Sequence, residues 1–120
     1  LSLVGSEMCI RDSMRDYGEQ TGDGGGHDCN LFKGIFVRYF TILIQHPDLS
    51  DGDRMRFVAF LKNNANYLWT LGTEKPVIKM SPTWWQMPKG DTAWGDLRSA
   101  ISGTTTIEAM ALLEKNGFVE

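Results

Sequence analysis

The chain has 120 residues, with 12 basic and 15 acidic side chains, a formal net charge of −3 and 42% hydrophobic residues. That balance excludes the basic footprint of a phosphate-backbone binder, so no nucleic-acid partner is expected. No apolar run reaches the roughly 18 residues of a membrane span, and two cysteines, Cys9 and Cys29, are too few for a disulfide framework.

Leu3–Ser13, LVGSEMCIRDS, matches in register the translation of a transposon-end sequencing adapter. Residues 1–13 are therefore read as an artefact and excluded from fold reasoning. On that reading the authentic polypeptide begins near Met14, where a DNA fragment broke, and is a piece of something larger. Without residues 1–13 there remain 107 residues, with 11 basic and 13 acidic side chains and Cys29 as the sole cysteine. That is enough for one small domain or part of a large one. No signal peptide is visible, and an N-terminus of this kind carries no information on secretion.

Residues 14–29 hold Gly18, Gly22, Gly24, Gly25 and Gly26 among polar residues and read as a glycine-rich loop. As a phosphate loop it lacks the Gly-Lys-Ser/Thr ending and a preceding strand. As a metal site it offers His27 and Cys29 without a second ligand pair. No metal or cofactor is expected.

Asn30 to His46 is strongly helical and apolar nearly all round. Its polar exceptions Gly34, Arg38, Thr41 and Gln45 make one narrow stripe at spacings of four, three and four. Such a helix must be covered on several sides. Asn30 or Asp28 is the expected N-cap, and Pro47 ends the helix. A second helix follows the short connection HPDLSDG, with Ser50 and Asp53 at capping-box spacing. Phe57, Leu61, Ala65 and Leu68 form its apolar stripe, flanked by Val58 and Trp69. Arg54, Arg56, Lys62, Asn63 and Asn66 lie elsewhere, and Gly72 is the stop.

Thr73–Gly95 is broken by Pro76, Pro82, Pro88 and Gly90 and carries Trp84, Trp85 and Trp94. A loop of this length inside a compact domain is usually functional. The third helix runs from about Asp96 or Ser99 to Asn116. Gly103 and Thr104–Thr106 weaken its early part, and Lys115 and Gly117 close it. No convincing strand or repeat is found. If the three helices alternate in direction, the start of the first, the end of the second and the start of the third share one end. The glycine loop and the tryptophan loop then meet there, and any binding site belongs at that end.

The run Cys29-Asn-Leu-Phe-Lys-Gly-Ile-Phe-Val-Arg-Tyr39 resembles a signature of glycoside hydrolase family 76, the α-1,6-mannanases. The similarity continues through Phe60-Leu-Lys-Asn-Asn-Ala65, Leu68-Trp69, Trp84-Trp85, Ser102-Gly103 and Ile107-Glu-Ala-Met-Ala-Leu-Leu113. The resemblance implies an all-α fold, with residues 30–120 forming the C-terminal part of an (α/α)6 barrel and about three of its helices present. It implies α-mannan or another mannose-containing glycan as partner and an extracytoplasmic location. It also implies retaining hydrolysis by two consecutive aspartates. Retention needs two carboxyls roughly 5–5.5 Å apart, yet no Asp-Asp pair occurs in this chain, and Asp48, Asp51 and Asp53 cluster at the wrong end. No residue here is expected to be catalytic, and the chain alone is expected to be inactive.

Trp84 and Trp85 are the candidates for flat contact with sugar rings; the alternative is that one of them anchors the loop from beneath. Trp94 and Trp69 read as structural. Lys33 opposes the helix dipole and is a candidate substrate ligand, against a snorkelling or ion-paired lysine. Asp28 and Asn30 are candidates for sugar hydroxyls, although helix capping accounts for either. Arg38 needs a partner in so apolar a helix, and Glu108 lacks a basic neighbour one turn away. A polar pair of Arg38 or Lys33 with Glu108 is therefore expected. The alternative to an enzyme segment is a non-catalytic helical module that binds carbohydrate or protein.

Overall fold

The computed structural model describes residue 14, residues 31–88 and residues 93–119, except for the side chains of 93–96. The adapter-like segment, the glycine loop, and His27, Asp28, Cys29 and Asn30 lie outside the described residues. Three helices and a small hairpin make up the rest: α1 (Phe32–Ile44), α2 (Asp51–Thr70), β1 (Thr73–Glu74), β2 (Lys79–Met80) and α3 (Ala93–Lys115).

α1 begins two residues later than expected. Leu31 occupies the N-cap position with helical backbone angles and gives no side-chain cap; the expected capping by Asn30 or Asp28 lies outside the described residues. Its buried face is Lys33, Gly34, Val37, Thr41 and Ile44. Two members of the narrow polar stripe, Gly34 and Thr41, are thus among its most enclosed residues. The apolar remainder faces outward: Phe32, Ile35, Phe36, Ile42 and Leu43 are all exposed, and Tyr39 is 64% exposed. The reason lies on α3. Its buried stripe is Ser99, Ser102, Thr106, Ala109 and Leu113, mostly small residues, and at Ser102 the two helices come close. Thr41 and Thr106 satisfy their hydroxyls on the carbonyls of Val37 (2.7 Å) and Ser102 (3.0 Å) one turn back, so burying them leaves no orphan polar group.

α1 and α3 run parallel. Gly34 donates its amide to Ser102 Oγ (3.3 Å) near one end, and Asn116 donates to Gln45 Oε1 (2.7 Å) at the other. α2 runs back between those ends, as the alternation required. At its start, Ser50 accepts from the Asp53 amide (3.2 Å), while the Asp53 carboxylate turns to Arg56; half of the capping box is formed. Leu61, Ala65 and Leu68 are buried as expected, with Asn64 beside them. Asn64 Nδ2 donates to the Phe60 carbonyl (2.9 Å), and its Oδ1 accepts from the Met14 amide (2.6 Å).

Arg54 joins α2 to the end of α1. Its guanidinium donates to the carbonyls of Ile44 (2.9 Å) and His46 (2.8 Å) and to Asp51 (2.9 Å), and it lies over the Phe118 ring. Helix C-termini leave carbonyls without intrahelical partners, and a cation there also opposes the negative end of the dipole. α3 starts at Ala93, several residues before the expected Asp96 or Ser99, and its end is as expected. Gly117 takes φ +83°, while Phe118 N bonds to Leu113 O (2.8 Å) and Gly117 N to Glu114 O (3.1 Å). That is the left-handed closure that favours glycine.

The expectation of no strand is corrected. β1 and β2 pair antiparallel, Thr73 with Met80 and Glu74 with Lys79. Each strand has two residues, too short for an alternating pattern to show in sequence. The hairpin tucks Met80 against α3, where Gly103 leaves the space: a Cβ there would collide with Met80 Sδ. Gly103, read as a weak point of the helix, is the notch that receives the hairpin. The core is Val37, Ile44, Leu61, Leu68, Met80, Trp84, Ala109 and Leu113. No helix among the described residues is long and apolar enough to cross a membrane.

Candidate functional site

The segment after β2 returns to the end of the molecule where α1 begins and α2 finishes. Each step of its path is held. The Ser81 amide donates to Gly72 O (2.8 Å), the Thr83 amide to Ser81 Oγ (3.1 Å), and the Gln86 amide to Thr83 O (3.1 Å). Gly72 accepts this close approach because it has no side chain. A Cβ there would sit 2.7 Å from the Trp84 carbonyl oxygen and 3.0 Å from Trp84 Cα, so the residue expected to stop α2 also makes room for the tryptophan segment. Thr73 Oγ1 donates to Leu68 O (2.6 Å) at the same corner.

Of the tryptophan pair, Trp84 is 0% exposed and belongs to the core; it is the anchor of the two alternatives. Trp85 is partly exposed next to it. Lys33 is 3% exposed. Its Nζ donates to the Pro82 carbonyl (2.7 Å) and lies 5.2 Å from the centre of the Trp84 ring. Both contacts favour the ammonium: the carbonyl accepts a charge-assisted hydrogen bond, and the ring face supplies a cation–π contact. Of the readings weighed for Lys33, the snorkelling one does not hold, since the head group points into the protein.

Arg38 and Glu108 are both exposed, and the ion pairs formed among the described residues are Arg54–Asp51 and Arg56–Asp53. The expected polar pair is not formed. The acidic residues Asp48, Asp51 and Asp53 stand at the far end, beside the start of α2. Hydrogen bonds from Arg56 and then from Ser50 hold the Asp53 carboxyl below the ordinary aspartate range. Trp69, read as structural, is half exposed; Lys75 Nζ lies 4.3 Å from its ring centre and donates to its carbonyl (2.6 Å). The buried Ser81, Ser99 and Ser102 were not among the candidate site residues read from sequence. The signal for the last two was small residues at helical spacing, from Ser99 through Gly103 to Ala109.

This site has a buried anchor, a partly exposed tryptophan and a cation-fixed loop at the long-loop end of the parallel helices α1 and α3. Among the described residues it carries no catalytic carboxylate pair. Three solved structures match the chain, each with a TM-score of 0.66 and 43% sequence identity. One is the GH76A α-1,6-mannanase from Salegentibacter sp. HEL1_6. The others are inactive variants of that enzyme in complex with α-1,6-mannotriose and with α-1,6-mannotetrose. The match covers 72% of this chain and 24% of the mannanase, so the chain spans about a quarter of its relative. No protein-family model matches the chain, and no curated protein does. In sequence and in fold, the chain corresponds to a segment of a family 76 glycoside hydrolase, an all-α barrel.

Proposed function

We propose that this chain is the C-terminal part of an extracytoplasmic endo-α-1,6-mannanase-like enzyme. It builds one section of the glycan cleft while catalysis is carried by residues it lacks. The observation that supports this most is the 43% identity, over 72% of the chain, to an α-1,6-mannanase whose inactive variants hold mannotriose and mannotetrose. The missing Asp-Asp pair agrees with a non-catalytic share of the barrel, because retaining hydrolysis needs two closely set carboxyls. The glycan-facing residues are Trp85, together with Asp28 and Asn30 ahead of α1. Trp84 anchors the Trp85 segment from beneath, and Lys33 holds that segment.

The test is to extend the reading frame upstream of Met14, express the complete protein and assay α-1,6-mannan hydrolysis. The proposal expects consecutive aspartates on an upstream helix and hydrolysis that disappears when they become asparagines. A complete gene without such a pair, whose product binds mannan but does not cleave it, would replace this reading with a binding module.

A further inference from the structure

Lys33 is the second residue of α1, where the helix dipole disfavours a cation, and burial adds a desolvation cost. It is nevertheless almost wholly enclosed, with its head group on Pro82 O and against the Trp84 ring. Three other contacts fix the same stretch: Met80 in the Gly103 notch, the Ser81 amide on Gly72 O, and the Trp84 backbone packed against Gly72. Those contacts tie the stretch to α2 and α3. Lys33 ties it to α1, reaching the carbonyl two residues before Trp84 and three before Trp85. A loop carrying a binding ring gains affinity when it is ordered before the ligand arrives.

We infer that Lys33 is a positioning residue: its ammonium fastens residues 81–86 to α1 and so presets Trp85 for contact with the glycan. This rests on the proposed role of the chain in the mannan cleft. A lysine that bound sugar directly would turn its head toward the cleft; this one turns it toward its own loop.

The experiment has two arms. In the first, hydrogen exchange is compared between the full chain and its Lys33→Met variant in dilute solution. The amides of Ser81, Thr83 and Gln86 are expected to exchange about tenfold faster or more, with α2 and α3 peptides unchanged. Unaltered exchange in 81–86, or faster exchange spread through every helix, overturns the proposal. In the second arm, residues 31–119 replace the matching segment of the Salegentibacter mannanase, and kinetics on α-1,6-mannotetrose are measured for Lys33→Met, Trp85→Ala and the double variant. The loss is expected in KM rather than kcat, about tenfold for each single variant. The double variant should be no worse than the weaker single one, because both act through one ring. Additive effects, or a loss confined to kcat, overturn the role of Lys33. An unchanged KM in Trp85→Ala instead removes the glycan-facing role of the ring, and with it what Lys33 is said to position.

Discussion

Gly34 of α1 lies so close to Ser102 of α3 that a Cβ on Gly34 would meet Ser102 Cα at 2.8 Å and its Oγ at 3.0 Å. Alanine is the better helix former by about 1 kcal/mol, yet here the contact is with backbone that cannot turn aside. Gly34→Ala is expected to be destabilising by roughly 1–3 kcal/mol through overpacking. Gly52, in the first turn of α2 with nothing within 4 Å of its would-be Cβ, is the control. Gly52→Ala should stabilise by a few tenths to about 1 kcal/mol. Denaturant midpoints of the two variants should move in opposite directions.

The end of α1 depends on a residue from α2. Arg54 supplies hydrogen bonds to both the Ile44 and His46 carbonyls, with a geometry that only a planar fork reaches. Arg54→Lys is therefore expected to cost nearly as much as Arg54→Met, in the range of about 1–3 kcal/mol. Amides in the last turn of α1 should lose protection first. Full rescue by lysine would show that charge alone suffices.

Ser50 caps α2, and Ser50→Ala should cost about 1 kcal/mol. The same corner sets a pH dependence. The folded-state pKa of Asp53 is lowered, first by its hydrogen bond from Arg56 and then by that from Ser50. Its contribution is therefore fully present above the ordinary aspartate pKa and is lost as pH falls through the lower folded value. Asp53→Asn should flatten this acid limb of a stability-versus-pH curve. An unchanged limb in that variant would assign the acid sensitivity to other groups.

The outward face of α1 carries Ile35, Phe36, Tyr39, Ile42 and Leu43, a contiguous apolar stripe of the kind that drives association. The chain on its own is expected to self-associate, with a sedimentation coefficient that rises with concentration. Ile35→Glu combined with Ile42→Lys should shift it toward monomer without loss of helical signal, since neither side chain belongs to the core. A wild-type chain that is monomeric at every concentration would contradict this.

Local signals were the readable part of this fold. The Ser50 cap, the Leu61–Ala65–Leu68 stripe and the Gly117 closure depend on neighbouring residues and were visible in the sequence. So was the lack of an Asp-Asp pair. The buried face of α1 was not legible, because polarity alone points Gly34 and Thr41 toward water. What decides their burial is the run of small residues on α3, 68 positions away from Gly34 at Ser102. The two-residue strands escaped notice for want of length. For the site, the sequence named Trp84, Trp85 and Lys33 and the end of the molecule at which they meet. It left open which ring is the anchor and gave no sign that Lys33 points at Pro82, since both are settled by tertiary packing.

The most direct measurement compares two proteins on α-1,6-mannan: this chain alone, and the Salegentibacter mannanase carrying residues 31–119 in place of its own matching segment. The account predicts no product from the chain and clear hydrolysis by the chimera. Hydrolysis by the chain alone, or a folded chimera that releases nothing, would contradict it.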